Sequence, residues 1–158
     1  NYKRKKKDKI YKINDFIGAI FMGNKKKFVQ IKMFDERFFF YWEDVDLSNR
    51  ILKSKYNIFI NHSSKATHTW SSTKFNLSSK FIKSTNFKFG EYLYQYKNNK
   101  LKIIKILRQP IFHIFLTFIY LILFNHKKCL ENLFCLFGII KFLIFICFSK
   151  NKSLHVKN

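Results

Sequence analysis

Hydrophobic and polar positions alternate in several distinct ways along this chain. Residues 15–23, Asp-Phe-Ile-Gly-Ala-Ile-Phe-Met-Gly, are a short apolar run between turn formers, which predicts a buried strand. Asn24 can cap a short helix to about Ile31 that buries Phe28 and Val29. A second helix is expected from Asp44, a good N-cap, to about Lys55. Leu47, Ile51 and Leu52 form its inward side, and Asp46 and Arg50 stand at i,i+4 with the acid first, the favourable order. Residues 56–61 and, more briefly, 65–70 read as strands; part of the polar, aromatic-dotted stretch 71–100 reads as helix. Two apolar runs follow, 110–124 and 133–148, each short of the ~20 residues that cross a bilayer unaided. Residues 125–132 between them are polar enough to turn, giving a helical hairpin. Its helices are expected to lie in or dip into a membrane face, with Arg108, Lys127, Lys128 and Lys141 snorkelling. A two-span hairpin and a packed or dimerising core are the alternatives. The resulting division is a basic tail or loop at 1–12, a domain portion at 13–100 and an apolar helical region at 101–150. No internal repeat is visible.

Composition changes this picture only in part. The 158 residues suffice for one ordinary domain. The net charge of +22 suggests an anionic partner. Lys, Asn, Ile and Phe are over-used and Ala, Gly, Pro and Arg scarce, as AT-rich coding would produce, so charge alone identifies no partner. Lysines and aromatics alternate in 74–97, as in a nucleic-acid-binding module, but the acidic cluster and the apolar tail have no role there; no nucleic-acid partner is expected. Cys129, Cys135 and Cys147 show neither disulfide pairing nor metal-ligand spacing and read as apolar residues in a reducing compartment. The chain opens on a basic run without an initiator Met or a secretory signal, as a fragment would.

Candidate chemistry sits in "FDERFFFYWEDVDLSNR", residues 34–50, which holds five of the nine carboxylates among six aromatic rings. Carboxylates in such surroundings are costly unless they ion-pair, cap a helix, bind metal or exchange protons. By pattern alone Asp44 reads first as a helix cap and only second as a catalytic acid. The rings at 38–42 are core as readily as a sugar platform, and His68 is a surface residue as readily as a ligand.

The order of elements resembles the C-terminal half of bacterial family-2 glycosyltransferases, especially the rhamnosyltransferase-like branch. The matching residues are Gly18-Ala19, Phe34-Asp35-Glu36, Phe38 to Trp42, Glu43-Asp44-Val45-Asp46-Leu47, Arg50, Lys55-Tyr56, His68 and Ser71-Ser72, over about residues 13–75. Lys55 replaces the usual Gly before Tyr56, and Asn24 stands near where an Arg often ends the strand. The family's nucleotide-binding half, with its Asp-x-Asp, has no counterpart in these residues, so the isolated chain is expected to be inactive.

The resemblance implies an α/β fold: the C-terminal, acceptor-side half of a GT-A domain followed by apolar helices. It implies an inverting transfer of sugar from a nucleotide-sugar donor, such as dTDP-rhamnose, to a lipid-linked saccharide at the cytoplasmic face of the bacterial cell membrane. Asp44 would be the general base. Glu43, Trp42, Tyr41 and Gly18 would bind substrate, and Asp46 and Arg50 would support them structurally. His68 would help hold a divalent cation, Mg or Mn, bound mostly by the missing half. The competing expectation is a non-enzymatic basic membrane-associated protein or an inactive gene remnant.

Overall fold

The computed structural model describes residues 10–67 and 76–149, which form two compact units. The first comprises residues 10–37 and 43–67 of these, the second residues 38–42 and 76–149.

In the first unit, β1 (Ile10–Ile13) pairs antiparallel with β2 (Ile58–Asn61), in the register Ile10↔Asn61 to Ile13↔Ile58. Between them lie α1 (Lys25–Gln30) and α2 (Glu43–Lys53). The Asn24 side chain does cap α1, accepting from the Lys27 amide at 3.2 Å. Leu47 of α2 is fully buried, with Ile51 and Leu52 half-buried beside it.

Several local expectations are corrected in this unit. Residues 15–23 are not a strand: they pair with no described segment, and Ile17 and Met22 are 78% and 99% exposed. Phe16 and Phe21 instead turn onto one another and, through Phe21, onto Phe28 and Phe34, with ring centroids 5.2–6.0 Å apart. An apolar run becomes a strand only where a neighbouring strand takes its backbone hydrogen bonds. Val29 is likewise exposed rather than buried. Asp44 is not the N-cap of α2, because the helix already begins at Glu43, and it ends at Lys53 rather than Lys55. The strand expected at 65–70 is irregular over 65–67, and its remainder lies outside the described residues.

The second unit contains α3 (Leu77–Lys97), α4 (Ile103–Ile122) and α5 (His126–Ser149). Asn76 caps α3 by accepting from the Ser78 amide at 2.9 Å. Phe38, Phe89, Tyr92, Leu93, Ile139 and Phe142 make the buried core, so Phe38 is a core residue. Gly138 lets α3 and α5 touch: a Cβ there would collide with the Thr85 carbonyl and lie 2.7 Å from Lys88 Cβ.

The apolar helices are longer than the sequence pattern suggested, 20 residues in α4 and 24 in α5, each long and apolar enough to cross a bilayer. Residues 126–132 belong to α5, and the turn is confined to Leu123, Phe124 and Asn125. The described residues are therefore mostly helical, with a two-stranded sheet and the two apolar C-terminal helices that were expected; they do not display a GT-A sheet.

Candidate functional site

The first unit holds the carboxylates. Its α2 opens with Glu43, Asp44 and Asp46 in the first turn, where the helix dipole and unpaired amides favour negative charge. Asp44 reaches back 26 residues: Oδ2 accepts the Gly18 N–H at 3.1 Å while Oδ1 accepts the Val45 N–H at 2.8 Å. Two amides use about half the acceptor capacity of an ionised carboxylate, so Asp44 is held in place with room for another donor. A Cβ on Gly18 would sit 3.4 Å from Asp44 Cβ, an ordinary contact, so their approach does not itself demand glycine.

Glu43 is in a different state. Its Oε2 is buried with no hydrogen-bond partner among the described residues. Burial raises its carboxyl above the ordinary range, a hydrogen bond from its own amide opposes this, and the Asp44 charge adds to the rise. The two adjacent acids thus differ: one is fixed by two amides, the other is drawn toward its neutral form.

Asp46 and Arg50 are joined as the i,i+4 spacing anticipated, with Nε donating to Oδ2 at 2.7 Å. Arg50 Nη1 also donates to the Ile31 carbonyl, so the pair ties α2 to the end of α1. Asp35 of the Phe34-Asp35-Glu36 turn forms a two-point ion pair with Arg37, which the sequence reading did not single out, with Nε–Oδ1 at 2.8 Å and Nη2–Oδ2 at 2.6 Å. Asp-x-Arg in a turn is the local signal that could have found it.

The rings belong to the second unit. Tyr41 and Trp42, immediately before α2 in the chain, take left-handed backbone conformations, φ 67° and 71°. Such angles are outliers for bulky residues and persist only where the surroundings impose them. Here the surroundings are α3. Tyr41 meets Phe87 at 5.6 Å between centroids, and Trp42 meets Phe87 and Tyr94 at 5.9 and 5.4 Å. A Cβ on Gly90 would lie 3.0 Å from Trp42 Cδ1 and 3.2 Å from the Tyr41 carbonyl oxygen. An isolated glycine inside a helical pattern was the sequence signal for this contact. Trp42 Nε1 is buried without a hydrogen-bond partner among the described residues. Phe39, 75% exposed, takes no part in the packing.

The structure thus brings Gly18 to Asp44 and Asp46 to Arg50 in one unit, and sets Tyr41 and Trp42 against α3 in the other. His68 lies outside the described residues. Among the described residues, no three His, Cys, Asp or Glu side chains gather to hold a metal ion.

Residues 2–72 match the family model described as the N-terminal domain of galactosyltransferase. The match supports a glycosyltransferase family, and sugar transfer in general, for this stretch, which is less than half of the chain; it does not single out the rhamnosyltransferase-like branch. No curated protein and no solved structure matches the chain.

Proposed function

We propose that this chain is the acceptor-side part of an inverting glycosyltransferase, in which Asp44 takes the proton of the acceptor hydroxyl. The observation that carries the reading is the bond from Gly18 N–H to Asp44 Oδ2, inside the stretch that matches a glycosyltransferase family. It fixes the carboxylate of the Glu-Asp pair from a turn 26 residues earlier in the chain, which a mere helix cap would not require.

In the step proposed, the acceptor oxygen attacks the anomeric carbon, its proton passes to Asp44, and the sugar–phosphate bond breaks with the electron pair leaving on the diphosphate. Attack and departure on opposite faces invert the anomeric centre. Glu43, next to Asp44 in the chain, is the residue this reading assigns to hydrogen-bond another group of the acceptor sugar. A divalent cation, Mg or Mn, belongs to this reading as the group that neutralises the leaving diphosphate. The donor is a nucleotide sugar such as dTDP-rhamnose. The acceptor is a lipid-linked saccharide met at the cytoplasmic membrane face, in keeping with two apolar helices that follow the matched stretch.

Asp44→Asn in the full-length enzyme tests this assignment. Transfer should fall at least 10²-fold, the low end of what positioned general-base catalysis contributes, on the order of 10²–10⁴-fold. An amide cannot accept from both the Gly18 and the Val45 N–H, so a loss of about 1–3 kcal/mol in stability should accompany the change. Circular dichroism and a melting curve separate the two effects. Near-wild-type turnover in a folded variant would refute Asp44 as the base.

A further inference from the structure

We infer that the α3–α5 unit lies flat in the surface of an anionic membrane, with α4 immersed and the α4–α5 turn on the same side as the rest of the chain. The proposal concerns the membrane geometry of the reading above and not its chemistry.

Both apolar helices pass the length test for a span, but α3 does not permit it. α3 runs parallel to α5 along its length: Lys80 pairs with Glu131 at 2.7 Å, Thr85 donates to the Phe134 carbonyl at 3.2 Å, and Lys141 donates to Asn86 at 2.8 Å. Further along, Phe89 meets Phe145 with ring centroids 5.7 Å apart. A transmembrane α5 would carry α3 into the hydrocarbon beside it. Yet α3 holds Lys80, Lys83, Lys88, Glu91 and Lys97; Lys88 and Glu91 near its middle offset one another as an ion pair at 2.8 Å, but Lys80, Lys83 and Lys97 remain as cations that the hydrocarbon would have to take in.

The α4 side of the unit suits lipid. Only His113 is buried among the 20 residues of α4. Leu107, Ile111, Phe115, Phe118 and Ile122 recur at helical spacing and are each 58–67% exposed. Ile144 and Phe148 extend the exposed apolar surface along α5, at 51% and 73%.

Charge identifies the occupant. Between Glu91 and Glu131 the sequence holds no acidic residue but has Lys97, Lys100, Lys102, Lys105, Arg108, Lys127 and Lys128. Exposed Lys100, Lys102 and Arg108 lie at the start of α4, and exposed Lys127 and Lys128 follow its end. A helix with cations at both ends and apolar residues between fits a negatively charged interface along its whole length. A second copy of so basic a surface would be repelled.

Vesicle flotation and cysteine labelling of the full chain test the proposal. The chain should float with phosphatidylglycerol-containing vesicles and bind pure phosphatidylcholine vesicles far less. Replacing Lys100, Lys102 and Arg108 with Gln should weaken binding to the anionic vesicles about a hundred-fold, roughly fivefold per cation. With the native cysteines replaced by Ser, Asn125→Cys in the turn and Asn99→Cys before α4 should react with an impermeant maleimide from the same face of a sealed membrane. Labelling of the two from opposite faces would overturn the in-plane geometry. Equal binding to neutral and anionic vesicles, or none to either, would overturn the anionic partner. None of these readouts involves sugar transfer, so failure here leaves the role of Asp44 standing, and loss of that role leaves this geometry standing.

Discussion

Lys55 has a backbone angle, φ 59°, that a side chain makes unfavourable. Its N–H donates to the Leu52 carbonyl and the Tyr56 N–H to that of Ile51, the paired bonds of a Schellman motif ending α2. The position calls for a left-handed conformation, which glycine adopts freely, and here lysine bears the strain. Lys55→Gly should raise the stability of the first unit by about 1 kcal/mol, seen as a shifted denaturant midpoint with unchanged slope. Glu43 makes a second prediction at this scale. Because burial raises its folded pKa, the folded form holds the proton more tightly than the unfolded chain. Its contribution to stability is therefore present at low pH and lost as pH rises through the raised value. Glu43→Gln should melt higher than wild type at pH 7 and no higher at pH 4, by differential scanning calorimetry. The residues behind both predictions were legible as types in the sequence, but their states were not. A pattern shows that Glu43 and Asp44 are adjacent; only the folded chain distinguishes the acid held by two amides from the one with a buried, unpaired oxygen.

Elements differ in legibility for identifiable reasons. α1 and the Asp46–Arg50 pair of α2 depend on contacts three or four residues apart, and both appear as the local pattern implied. Residues 15–23 depend on a distant partner and formed no strand. The start of α4 was missed for the opposite reason. The apolar run was counted only from Pro110, but Lys105 pairs with Glu91 and Lys88 donates to Gln109 at 3.1 Å, so residues of α3 accommodate the polar first turns of α4. Burial pushes the Glu91 carboxyl up, but the hydrogen bonds and charges of Lys105 and Lys88 outweigh it and hold it below its ordinary value. Its stabilisation is therefore present above the unfolded pKa and lost as pH falls through the folded one. Hydrogen exchange should show α4 amides opening in acid before those of the α3–α5 contact, and Glu91→Gln should remove that acid sensitivity. Gly138→Ala tests the α3–α5 contact itself. The added methyl would collide with the Thr85 carbonyl and should cost about 1–3 kcal/mol, as overpacking does, despite alanine's better helix propensity.

At the scale of the whole molecule, the two units carry different features. The first carries a carboxylate fixed by Gly18 within a stretch matching a glycosyltransferase family; the second carries the exposed apolar, basic-flanked helices. The apolar tail and the motif order were readable from the sequence. The mostly helical architecture was not, because a resemblance to an α/β family says what the motif serves without supplying the strands it would pack against. The central claim is a single displacement in which one carboxylate accepts the hydroxyl proton while the diphosphate departs from the far side. It is tested most directly by the anomeric configuration of the transfer product, read by NMR against that of the donor. The account predicts inversion; retention would contradict it.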